Sequence, residues 1–160
     1  PSIDRRPPRD PRVPFLNRGM VAGIAAGGIA LFVAVFATYG FSLWLRVPPA
    51  GARTYAFSAW MIGHVLLALF SRSAHDPLYR IGPFSNRVLL RWMAGAIGSL
   101  AAAILVPPVG ERLNVVPVGA AGMAAVIVFS VICMAGFELE KIARAGRDPA
   151  DAGRKKEPAA

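Results

Sequence analysis

Acidic residues, histidine and cysteine are scarce in this sequence. Of 160 residues, nine are Asp or Glu, two are His and one is Cys. A single cysteine, Cys133, excludes an internal disulfide framework and a metal–thiolate cluster. The chain has no run of paired carboxylates, no His-x-x-x-His pair, no Ser–His–Asp set and no phosphate-cradling glycine loop. It therefore lacks the residues for hydrolytic, metal-centred or nucleotide chemistry of its own. An initiator Met is also missing, which is expected of a processed chain or of a piece cut from a longer one. The first eighteen residues are polar and Pro-rich, unlike a secretory signal.

Charge is absent from long stretches, and those stretches define the molecule. Hydrophobic residues make up 55% of the chain, and the mean hydropathy is +0.49. Four apolar runs, 20–45, 54–71, 92–109 and 115–137, are long enough or nearly long enough to span a bilayer as helices. They are too long for buried strands, and their flanks lack hairpin signals. The expected fold is all-α, an integral membrane four-helix bundle. Residues 1–19 read as an extended, Pro-rich connector, 20–137 as the four spans and 138–160 as a small, charged tail. Pro117 is expected in the first turn of the fourth helix, where its missing N–H costs least.

The net charge of +9 suggests nucleic acid at first sight. The basic residues flank apolar runs instead of forming one basic face, and nothing in the tails resembles a nucleic-acid-binding fold. Their distribution sets a direction. The N-terminal segment carries Arg5, Arg6, Arg9, Arg12 and Arg18; the middle loop carries Arg72, Arg80, Arg87 and Arg91; the tail carries Lys141, Arg144, Arg147, Arg154, Lys155 and Lys156. The other two loops hold only Arg46, Arg53 and Arg112. This alternation predicts four crossings with both termini and the middle loop cytoplasmic.

Two features inside the runs carry chemistry. Gly19, Gly23 and Gly27 are four apart and share one helix face, which permits close approach of another backbone. His64 lies eleven residues from Arg53 and eight from Arg72, roughly 16 Å and 12 Å along a helix, and so near the midplane. Its neighbours one turn away, Trp60, Met61, Leu67 and Ala68, offer no strong side-chain partner, so a partner is expected from another helix. Two readings stay open: a neutral imidazole bonded to a backbone carbonyl, or a functional group in a cation or proton path. One His makes no cation site alone, so any ion path requires a larger assembly.

Three segments resemble the C-terminal membrane region of P-type cation-transporting ATPases, of the calcium-pump-like type. Arg6-Pro7-Pro8-Arg9, Pro11 and Pro14-Phe15-Leu16 are similar to the connector before the seventh membrane helix. ARTYAFSAWMIGHVLLALFSRS, residues 52–73, looks like the eighth helix, and FELEKIAR, residues 137–144, like the close of the tenth. The resemblance implies that the four spans are helices seven to ten of a pump. It implies as partners the bilayer, membrane helices one to six, the cytoplasmic domains and a transported cation. The parent would use ATP and Mg, yet this chain carries no Asp-Lys-Thr-Gly-Thr phosphorylation motif and no cofactor of its own. The chain's expected role is to brace the transport helices, with His64 at the position where calcium-pump-like members keep a cation-binding Glu. Two Asn positions of that helix are Leu67 and Phe70 here, so the hard oxygen ligands that calcium prefers are missing. The Gly19, Gly23 and Gly27 face would meet the fifth helix. The expected location is the cell membrane, of the bacterial inner-membrane type. The alternative is a self-contained four-helix membrane protein, an accessory subunit or small transporter.

Overall fold

A computed structural model of the chain describes residues 18–71 and 86–145. These residues form five helices and no strand: α1, Arg18–Trp44; α2, Pro49–Phe70; α3, Arg87–Leu105; α4, Pro107–Leu113; and α5, Ala120–Ala145. The expectations for the connector, for Arg72 and Arg80 of the middle loop and for the tail beyond residue 145 lie outside the described residues.

The helices do not share the bounds of the apolar runs, and local chemistry explains each difference. α1 spans 27 residues, about 40 Å at the helical rise. It ends where Arg46 takes a left-handed φ of 58°. There Val47 N–H bonds Ser42 C=O at 3.0 Å and Arg46 N–H bonds Leu43 C=O at 2.9 Å. This is a Schellman closure, with Arg at the position glycine usually fills. α2 begins at Pro49, five residues before the apolar run, because a proline at the first helical position loses no hydrogen bond. α3 starts under a true side-chain cap: Asn86 Oδ1 accepts from Val88 N–H at 3.0 Å and from Leu89 N–H at 3.1 Å.

The third apolar run breaks before its end. Val106 closes α3 and opens α4 with φ −106° and ψ 102°. A residue before proline is pushed out of the helical region, and Pro107 follows. α4 then closes like α1, with Asn114 at φ 53° and Val115 N–H on Gly110 C=O at 2.9 Å.

The expected place of Pro117 is corrected here. It precedes α5, in a non-helical lead-in over residues 115–119. The reason is that the lead-in donors are committed elsewhere. Val115 N–H bonds Gly110 C=O, and Val116 N–H bonds the Thr54 hydroxyl at 3.0 Å.

α2 is the hub, packing against α1, α5 and α3, while α1 also packs on α5 and α4 on α3. Its buried residues are mostly small: Gly51, Ala52, Thr54, Ser58, Ala59 and Gly63 among them. Small residues let helix axes approach closely. A Cβ on Gly63 would stand 2.5 Å from Leu31 Cδ1 of α1. Ala59, Ile62, Leu100 and Val126 form the core where α2, α3 and α5 meet.

Large apolar side chains also point outward. Ile24, Phe32 and Phe36 of α1, Val88 and Leu105 of α3, and Val128 and Ile132 of α5 are all exposed. Two stretches, Met20–Trp44 and Arg87–Leu105, are long and apolar enough to cross a membrane; Ala120–Gly136 is apolar but shorter. Only 11% of the most apolar 18 residues of either long stretch is buried, unlike a core helix, which is mostly buried. An apolar face of this extent requires lipid or a partner.

Candidate functional site

His64 sits on α2, next to Gly63, where α1 crosses. Its ring is half-buried. Nδ1 lies 2.9 Å from the Trp60 carbonyl oxygen, four residues back on the same helix. A carbonyl only accepts, so Nδ1 carries the proton, and in the neutral ring Nε2 keeps its lone pair. The sequence points to a side-chain partner from another helix and leaves a backbone carbonyl open as the other reading; the observed bond is to a backbone carbonyl, that of α2 itself. A helical carbonyl has a second lone pair after its backbone bond, and it is the nearest acceptor in an apolar run. The Trp60 ring meets the imidazole edge-on, with centroids 4.7 Å apart at 63°. This contact and the hydrogen bond together fix the ring, leaving Nε2 as the atom free to bind a proton or a cation.

Among the described residues, no group of three or more His, Cys, Asp or Glu side chains could hold a metal ion. His64 thus has no described co-ligands.

The glycine face divides in two. Gly27 is buried within the bundle. Gly23 has no described atom within 4 Å of where a Cβ would stand. The surroundings of Gly19 lie outside the described side chains. Nothing described packs against this face at Gly23.

A set of buried hydroxyls lies within the helices at positions the sequence does not single out. Thr54, fully buried, donates to Ala50 C=O at 3.2 Å and accepts from Val116 N–H at 3.0 Å. Ser58 donates to Thr54 C=O at 2.8 Å, and Ser42 to Thr38 C=O at 2.7 Å. The hydroxyls of Thr38 and Ser130 are buried without a hydrogen-bond partner among the described residues. Their signal was the i, i+4 spacing of Thr38 with Ser42 and of Thr54 with Ser58 inside otherwise apolar runs.

Two cavities lie at the end of the bundle where α1 turns into α2. One, of about 430 Å³, is walled by α1 and α5 and floored by Tyr55. The other, of about 440 Å³, opens between α2, α3 and α4 and is lined by Arg53 and Glu111. Tyr55 reaches across to α5, where a Cβ on Gly122 would collide with its phenol oxygen.

No curated protein matches the chain. A family model, described as the C-terminus of cation-transporting ATPases, matches residues 1–143.

Proposed function

The chain belongs to the C-terminal family of P-type cation-transporting ATPases, and from that premise we propose that it is the four-helix membrane part that braces the ion-transport helices of such a pump. α1, α2, α3 and α5 are the four crossings. Both termini and the segment between α2 and α3 face the cytoplasm, and the turn between α1 and α2 and helix α4 face outward. The observation that carries this reading is the reach of the family match, which takes in all four apolar runs. The outward apolar faces of α1, α3 and α5 support it, since they need lipid or neighbouring helices to cover them. So does the alternation of Lys and Arg between loops.

His64 is the residue through which the chain touches the transported charge. Nδ1 is engaged with Trp60, so the available atom is Nε2. A lone imidazole nitrogen suits a proton or a nitrogen-binding cation and suits calcium poorly. The remaining ligands come from the other membrane helices of the pump, and ATP with Mg is used by its cytoplasmic domains. The Gly23 surface receives one of those helices. The host membrane is the cell membrane, of the bacterial inner-membrane type.

The test is ATP-driven cation uptake by inside-out vesicles containing the full pump, compared with a version lacking this chain's residues. Loss of uptake is expected, and undiminished uptake overturns the reading. In the same assay His64→Ala and His64→Glu should change cation-dependent ATPase activity or its pH profile. If both variants match the unmodified pump, His64 serves packing alone.

A further inference from the structure

The cavity between α1 and α5 holds an unusual balance of groups. Its walls are apolar, with Phe41 from α1 and Val126 and Phe129 from α5. Three hydroxyl residues line it: Thr38, Ser42 and Tyr55. No carboxylate, amide, imidazole or basic side chain does. Thr38 is 93% buried, and its Oγ1 has no partner among the described residues. An unpaired buried hydroxyl is costly, so a lining of this kind favours an occupant that supplies the missing bond. Ser42 already spends its proton on the Thr38 carbonyl. Thr38 and Tyr55 are therefore the donors left over, and the group that suits them is a neutral acceptor on an apolar body.

Depth narrows the choice; this step rests on the membrane reading above. α1 is about 40 Å long, close to the thickness of the hydrocarbon core with its two interfacial layers. Thr38 lies six residues before Trp44, the end of α1, or about 9 Å in from that end. That is about 4 Å inside the hydrocarbon boundary, just below the level of the glycerol ester carbonyls of a phospholipid. The Thr38 Oγ1 is set back behind the wall, and a 120° turn about χ1 exchanges it with the methyl group. We propose that this cavity is a binding site for one outer-leaflet diacyl phospholipid, held by hydrogen bonds from Thr38 and Tyr55 to its ester carbonyls, with an acyl chain between Phe41, Val126 and Phe129. The cavity volume of about 430 Å³ accommodates the ester region and the upper part of one chain, and leaves the headgroup in the interface.

The experiment uses vesicles with equal amounts of diester phosphatidylcholine and its diether analogue, which has the same headgroup and chains but lacks the carbonyls. The full chain is extracted from them into mild detergent, and the retained lipid is weighed by mass spectrometry. About one diester molecule per chain is expected, favoured at least about fivefold over the diether, as one net hydrogen bond implies. Thr38→Val and Tyr55→Phe should each lower that preference, and the double variant should abolish it. Ala125→Trp, at an exposed position on the cavity wall, should expel both lipids without unfolding the chain. Equal retention of the two lipids overturns the proposal, as does retention unchanged by the variants. A photo-crosslinker at Phe129 that captures another polypeptide in place of lipid overturns it too. A chain that never enters the vesicles would refute the membrane reading itself; an inserted chain without diester preference refutes only the lipid site.

Discussion

Thr54 and Val116 stand 62 positions apart in the chain and are joined by one hydrogen bond, from Val116 N–H to Thr54 Oγ1 at 3.0 Å. The same hydroxyl donates to Ala50 C=O. One buried oxygen thus ties the first turns of α2 to the lead-in of α5. Without it, the Val116 N–H would have no acceptor at a site partly closed to water.

Thr54→Val keeps the shape and removes the hydroxyl. It should lower stability by about 1–3 kcal/mol, the cost of leaving a buried donor unpaired. Thr54→Ser should recover most of the loss. Unfolding of the full chain in detergent, followed by circular dichroism, measures both. A Val variant as stable as the Ser variant would show that the bond carries no weight.

Gly110 and Gly63 both meet close neighbours, but the neighbours differ in kind. A Cβ on Gly110 would stand 2.8 Å from Ala103 O and 2.9 Å from Val115 O, both backbone atoms. On Gly63 it would meet the tip of Leu31, which can rotate. Gly110→Ala should cost about 1–3 kcal/mol, in the range of overpacking, and Gly63→Ala markedly less. The same unfolding assay ranks them, and the reverse order would contradict the packing described for α4.

Arg46 holds a φ of 58° that costs an L-residue with a Cβ about 1 kcal/mol. Arg46→Gly should therefore raise stability by a similar amount, since glycine takes that conformation freely. A decrease would mean that the Arg side chain contributes more than its backbone gives up.

Gly23 and Gly27 separate two kinds of packing. Gly27 is buried inside the described bundle, whereas Gly23 faces open space among the described residues. Gly23→Leu should leave the unfolding transition of the isolated chain within about 0.5 kcal/mol, as for a surface change. In the full pump, however, it should impair assembly or turnover by blocking a neighbouring helix. Normal transport by that variant would remove the partner assigned to this face.

The apolar runs mark where each long helix lies, because burial from water dominates their composition. They do not mark the ends. Val106 ends α3 because a proline follows it, and Pro117 stays outside α5 because neighbouring N–H groups bond elsewhere. The first stop is written in the adjacent proline; the second depends on a contact with Thr54, far along the chain, and a run of apolar letters carries no trace of it. The position of His64 was legible, as a single imidazole in a charge-free run. A backbone carbonyl was one of its two open readings, but which carbonyl was not legible, because every residue has one. The hydroxyls were visible in the sequence but silent there: Thr54 gains its meaning from Val116, far along the chain.

Asn86 satisfies two free donors at the start of α3 without adding charge. An aspartate would satisfy them equally and would suit the positive end of the helix better. The first turn of α3 holds no acidic residue, and Arg87 stands there against the helix's own dipole. The segment forgoes about 0.3–1 kcal/mol of helix-end electrostatics and keeps a basic residue at its start. Arg87 at that place works against the helix's own start and, on the proposed topology, counts among the cytoplasmic Lys and Arg that set the direction of crossing.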